Sequence, residues 1–234
     1  MIFSSTIFLF GFLPCVLLLY YLLPFRLKNG MLLLASLFFY AWGEVEYTLL
    51  MLLSICWNYY LGKLIDAAGK WRKTALFVGV AVNLSLLGYF KYSNFLVQNG
   101  NILLEKLGLE TFSFDAVHLP LGISFFTFQA ISYLVDVYKR ETSSQKNMLT
   151  LGLYIAMFPQ LIAGPIVRYS TVARQLVFRK THLGQVEEGV FRFVYGLAKK
   201  LLIANPLGEI ADTLFALPAD QLTALPAWVA VAAY

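Results

Sequence analysis

Four polar side chains recur at helical spacing inside an otherwise apolar stretch of this 234-residue chain: Gln129, Ser132, Tyr133 and Asp136. At about 100° per residue, the last three fall within about 60° of Gln129 on a helix surface. Polar groups in an apolar helix usually face a bundle interior or a cavity. The strip therefore reads either as hydrogen bonding between helices or as the lining of a substrate tunnel. For Asp136, near the end of the stretch, a solvated carboxylate is the simpler reading. A second group, Pro159, Gln160, Gly164 and Pro165, interrupts the apolar run 149–167. Proline removes a backbone donor and breaks the helix. Broken backbone at membrane depth persists only where protein or a water-filled cavity satisfies it. These eight residues form the candidate tunnel lining.

Other chemistry is absent from the pattern. There is no G-x-S-x-G elbow, Walker A loop, G-x-G-x-x-G or paired-cysteine metal site. No residue is assigned a catalytic role, no metal site is expected and no bound cofactor is implied. Neither His118 nor His182 is followed by the acid of an H-x-x-x-D pattern, and both read as surface or interfacial histidines. Cys15 and Cys56 lie in apolar runs and read as small buried hydrophobes. Asn83-Leu84-Ser85 matches a glycosylation sequon but sits in an apolar run, where it carries no such meaning. Lys91, at the end of its run, reads as a snorkelling side chain.

The elements that must position these residues follow from composition. The chain is 59% hydrophobic and 13% charged, with a mean hydropathy of +0.70; a soluble domain averages about 25% charged. Lipid has to be the solvent. The net charge of +5 does not indicate nucleic acid, which needs one continuous water-facing basic patch, because the basic residues fall in short clusters between apolar runs. Residues 2–23 form about 22 apolar residues, roughly 33 Å as helix, enough to span. No basic residue precedes them and no small-residue cleavage site follows, so they read as a retained first helix. Runs follow at 31–42 (short), 47–65, 74–90, 120–137 and 149–167.

With the N-terminus outside, the inside segments 24–30, 63–73 and 139–148 hold nine basic residues. The outside segments 43–46 and 91–119 hold two, against five acids. This is the positive-inside pattern. A full span at 149–167 would put Arg168, Arg174, Arg179 and Lys180 outside, so this segment is expected to be re-entrant. Residues 185–205 read as an amphipathic helix along the interface, with Glu188, Arg192 and Lys199 on one face. The expected fold is all-α, a polytopic membrane protein. Residues 1–234 form part of a single transmembrane domain, with the chain ending inside an apolar helix.

Two strings go beyond generic membrane sequence: Leu119-Pro120-Leu121-Gly122-Ile123-Ser124-Phe125-Phe126-Thr127-Phe128-Gln129 and Phe158-Pro159-Gln160-Leu161-Ile162-Ala163-Gly164-Pro165-Ile166. With Met1-Ile2-Phe3-Ser4-Ser5, Phe39-Tyr40-Ala41-Trp42 and Gly88-Tyr89-Phe90-Lys91-Tyr92, they resemble the membrane-bound O-acyltransferase (MBOAT) family. The similarity covers the whole chain and is greatest to the alginate O-acetyltransferase branch, with the D-alanyl transferases of teichoic acid assembly more distant. It implies a ring of tilted transmembrane helices with re-entrant segments, in a multi-pass enzyme of the bacterial inner membrane. Such an enzyme passes an acyl group, here acetyl, from a cytoplasmic donor such as acetyl-CoA or an acyl carrier to a hydroxyl outside. The acceptor is an exopolysaccharide such as alginate, reached directly or through periplasmic partner proteins. The family's catalytic histidine lies in a downstream Trp-His motif, and no Trp-His pair occurs here. These residues alone, read as the N-terminal half of such an enzyme, are expected to be inactive. A teichoic-acid D-alanyl transferase, a transporter and a non-catalytic scaffold are the alternatives.

Overall fold

The computed structural model describes residues 3–161, 164–179, 182–218 and 223–234, and among these every regular element is helical. Two compact units emerge: one is Ile7–Arg179, the other Lys180–Tyr234 together with Ile2–Thr6.

The first unit opens with a π-helical turn, Phe8–Phe12, that runs without a break into α1, Leu13–Leu22; Pro14 removes a backbone donor inside this continuous helix, and the wide turn beside it is closed by Leu13 N–H donating to Phe8 O. Leu23 is extended before Pro24, as a residue preceding proline must be. Then α2, Phe25–Ala41, begins. It takes in Arg26 and Lys28, which the run-counting above leaves in a loop. Next is α3, Val45–Ala67, 23 residues, and after a 3-10 turn comes α4, Arg72–Lys106, 35 residues.

The length of α4 corrects the expectation that 91–119 is a loop. At 1.5 Å per residue it reaches about 52 Å, well past the roughly 30 Å hydrocarbon core. The extension holds because Asn94 and Asn101, two turns apart, clamp the returning chain. The Asn94 amide exchanges hydrogen bonds with Val117 N and O at 2.9 and 2.8 Å, and Asn101 does the same with Phe112 at 2.9 and 2.9 Å. Gly108, at φ 70°, ends the helix in the left-handed turn that glycine adopts without strain.

Then come α5, Ile123–Tyr138, and α6, Met148–Ala156, followed by the single turn α7, Phe158–Leu161, and by α8, Tyr169–Val177. Packing centres on α5: Phe126, Ala130, Tyr133, Leu134 and Val137 are fully buried. It fits against α3 and α4 because Gly62 and Gly79 leave room. A Cβ at Gly62 would lie 2.2 Å from the Tyr133 hydroxyl, and one at Gly79 would lie 2.8 Å from Leu134. Apolar on all sides, α6 is buried accordingly.

Among the described residues two helices, Val45–Ala67 and Gly69–Lys106, are long and apolar enough to cross a membrane; Phe8–Leu22, Ile123–Tyr138 and Ala224–Ala233 are shorter apolar helices. The stretch 120–137 is therefore shorter as helix than the full span its hydropathy predicts.

The second unit holds α9, Leu183–Lys199, then a π-helical turn, Lys200–Ala204, and α10, Asn205–Phe215, and finally α11, Ala224–Ala233. The amphipathic reading of 185–205 falls on α9 and the π turn. Glu188 and Arg192 pair at 2.5 Å, while Phe191, Val194, Tyr195 and Leu202 stay exposed. Lys180, one of the basic residues counted above, and the Ile162-Ala163 step of the second string lie outside the described residues.

Candidate functional site

The break predicted around Pro159 is present: α6 stops at Ala156, Met157 turns out with ψ 118°, and α7 restarts at Phe158. A helix restart leaves N–H groups without intrahelical partners. The Phe158 N–H donates to Ser36 Oγ at 3.2 Å, and that hydroxyl donates to Leu32 O at 2.7 Å. Ser36 is fully buried on α2. A ring cluster of Phe8, Phe12 and Phe39 packs on Phe158, with centroids 5.3 to 6.1 Å apart, and fixes its direction. Further on, Gly164 N–H donates to Gln160 O at 3.1 Å in a turn too tight for a side chain, since a Cβ there would lie 2.5 Å from Gln160 Cα.

Against this break sits the start of α5. Gly122 caps it at φ 73°, and a Cβ on Gly122 would stand 2.6 Å from Leu161 O. About two turns along, Gln129 Nε2 donates to Gln160 Oε1 at 3.3 Å. The two strings singled out in the sequence, 119–129 and 158–166, thus pack on one another through a left-handed glycine and an amide pair. Thr127 and Gln129 are buried, and Thr127 Oγ1 and Gln129 Oε1 have no hydrogen-bond partner; Tyr40 Oη on α2 is in the same condition. Unpaired buried acceptors and donors are costly, so this is where the first unit holds polar capacity in reserve.

The rest of the strip is committed to structure. Asp136 is buried, not solvated as its position near the end of the run suggests: Asp136 Oδ2 accepts from Ser170 N–H at 2.8 Å, capping the first turn of α8. The Tyr133 hydroxyl accepts from Gln145 N–H at 3.1 Å, and its ring meets Tyr169 edge-on at 4.9 Å. Ser132, half-buried, bonds the Tyr154 hydroxyl, which itself donates to Val167 O at 2.8 Å. Tyr169 lies outside the apolar spans. Burial pushes its phenol above the ordinary value, while a hydrogen bond from Gln145 Nε2 at 2.9 Å pulls the other way. Pro159 and Pro165 are exposed, and Gln160 and Gly164 half-buried.

Sequence reasoning missed Ser36 and the pair Asn58–Asn83. Asn83 Nδ2 donates to Asn58 Oδ1 at 2.8 Å and Asn58 Nδ2 to Asn83 Oδ1 at 3.2 Å, joining α3 to α4. A single small polar residue in an apolar run was the only available signal. His118 is exposed, 3.2 Å from Glu44 and stacked on Tyr47, and His182 caps α9 with Gln185. Neither faces the Gln129–Gln160 pair by any of these contacts. Among the described residues no group of three or more His, Cys, Asp or Glu is placed to hold a metal ion.

No family model matches the chain, and no solved structure matches it. Curated proteins do. It is 44% identical over its whole length to "Probable alginate O-acetylase AlgI" of Pseudomonas syringae pv. tomato, covering 45% of that protein. It is 42% identical to the protein of the same name from Pseudomonas aeruginosa, again covering 45%. A peptidoglycan O-acetyltransferase of Helicobacter pylori is 34% identical over 270 residues, with 50% of it covered. The chain spans about half the length of the curated relatives it matches. The chain is thus similar along its whole length to proteins named as alginate O-acetylases and, at lower identity, to one named as a peptidoglycan O-acetyltransferase.

Proposed function

We propose that this chain is the N-terminal part of an O-acetyltransferase of the bacterial inner membrane that acetylates hydroxyls of an exopolysaccharide, alginate foremost. The observation that carries this reading is the 40–44% identity along all 234 residues to proteins named as alginate O-acetylases. The teichoic-acid, transporter and scaffold readings are not favoured, since the matched relatives are named as O-acetylases of alginate or peptidoglycan.

In this account the chain crosses the bilayer repeatedly as part of a ring of tilted helices, with its N-terminus periplasmic and the segment 149–167 re-entrant from the cytoplasmic side. The donor is an acetyl thioester, carried by coenzyme A or by an acyl carrier. The acceptor is the polysaccharide, reached directly or through periplasmic partners. Transfer forms an ester between the acceptor oxygen and the acetyl carbonyl carbon, releases the thiol, and needs a base for the hydroxyl proton. Within this chain, Gln129 and Gln160 supply polar contacts at the kink, while Pro159, Gly164 and Pro165 hold the backbone open beside them. Ser132, Tyr133 and Asp136 continue the lining and fix α8 behind it.

Deleting the gene and measuring O-acetyl esters in the secreted polymer and in the peptidoglycan tests the reading. Loss of ester from alginate, restored by the intact gene, is expected. Unchanged alginate ester with loss from muramic acid would move the acceptor to peptidoglycan, and no change in either would refute the function.

A further inference from the structure

Two hollows of the first unit meet at one place. The larger, about 930 Å³, is an apolar groove between α1 and α2 that runs from Trp42 and Phe38 past Leu34 and Val16 to Arg26, Asn29 and Asn147. The second, about 680 Å³, shares those last three residues and continues over Gln145, Lys146, Tyr169 and Arg174. One is walled almost wholly by hydrocarbon, and the other mixes apolar wall with amide and hydroxyl groups and three cationic side chains, with no acidic one.

The charge is one-sided beyond the lining. Segments 1–43 and 142–179, which build both hollows, hold six Lys or Arg and no Asp or Glu. Arg179 donates to Asn29 Oδ1 and lies 5.8 Å from the Tyr20 ring centroid, yet its Nε is buried with no hydrogen-bond partner. Asn29 Nδ2 donates to Leu176 O at 2.8 Å, which ties α2 to α8, the helix whose Arg174 lines the second hollow. Lys28, on the same turn, stacks on Tyr20 at 4.4 Å. An apolar trough ending in cations without counter-ions, between helices of a membrane protein, has the shape and charge of a phospholipid site. Basic pockets at the positive-inside surface are where anionic headgroups dock.

We infer that this composite hollow binds one anionic phospholipid, its phosphate between Arg26, Lys146 and Arg174 and an acyl chain along the α1–α2 groove. The inference rests on the membrane placement proposed above and not on the acetylation reaction. Its chemistry is complementary at both ends: three basic residues face an anionic headgroup, and the acyl chain is buried in the groove.

The intact protein, extracted from membranes in a mild detergent, is mixed with phosphatidylglycerol or phosphatidylcholine of equal chain length, or with inorganic phosphate. Retained lipid is counted by native mass spectrometry, and the unfolding temperature is followed in parallel. One phosphatidylglycerol per protein is expected, with a rise in unfolding temperature that phosphatidylcholine and phosphate do not give. The Arg26→Gln/Arg174→Gln protein, altered only at exposed positions, should retain phosphatidylglycerol about thirtyfold less. Leu34→Trp, which fills the groove and leaves the charges in place, should lose it too. Equal retention of both lipids, equal protection by phosphate, or undiminished retention by the double variant would overturn the site. Sedimentation with membranes, measured beforehand, checks the placement separately, so a negative lipid result on extracted protein counts against the site alone.

Discussion

At the scale of single residues, the buried polar atoms divide into those that are paired and those that are not. Ser36 belongs to the first kind: its hydroxyl accepts the Phe158 N–H at the break after Met157. Ser36→Ala leaves that donor buried and unpaired, and should cost about 1–3 kcal/mol, read as a lower unfolding temperature of the extracted protein. Asn58 and Asn83 satisfy each other across α3 and α4. Asn58→Leu or Asn83→Leu alone should destabilise by a similar amount, and the double replacement should recover part of the loss, since neither amide is then left facing an apolar side chain. Strictly additive losses in that cycle would show that the amides do not work as a pair. Gln129 is of the second kind, with one amide atom bonded to Gln160 and the other free.

At the scale of elements, the kink between α6 and α7 is a designed contact between two distant strings. Gly122→Ala puts a Cβ where φ is 73° and Leu161 O would be 2.6 Å away. It should destabilise by more than about 1 kcal/mol and loosen the Gln129–Gln160 pair. Re-entry of 149–167 carries its own test. A cysteine at Arg174 should react with an impermeant thiol reagent only after the cells are opened, and labelling from outside intact cells would place α8 on the other side. The break was legible in the sequence because Pro159 and Pro165 are backbone facts that tertiary structure cannot override. The extent of α4 was not. Lys91 and the asparagines after it look like a polar loop, and only the clamp of Asn94 and Asn101 on a segment up to 23 residues away explains the helix. Asp136 was misjudged for the same reason: its partner, the Ser170 N–H, lies 34 residues on.

At the scale of the whole molecule, 59% hydrophobic residues and clustered basic charge agree with described residues whose regular elements are all helical and include two helices long and apolar enough to cross a bilayer. The proposed acetyl transfer rests on similarity along all 234 residues to proteins named as alginate O-acetylases, of which the chain spans about half. The central claim is that the two locked strings form part of the acetyl-transfer path, and a double-mutant cycle on Gln129 and Gln160 in the intact protein tests it most directly. O-acetyl ester in secreted alginate is measured at matched protein level in the membrane. Gln129→Leu and Gln160→Leu should each lower it about tenfold, the worth of one lost polar contact, and the double variant should fall no further. Wild-type ester content in both single variants would contradict the account.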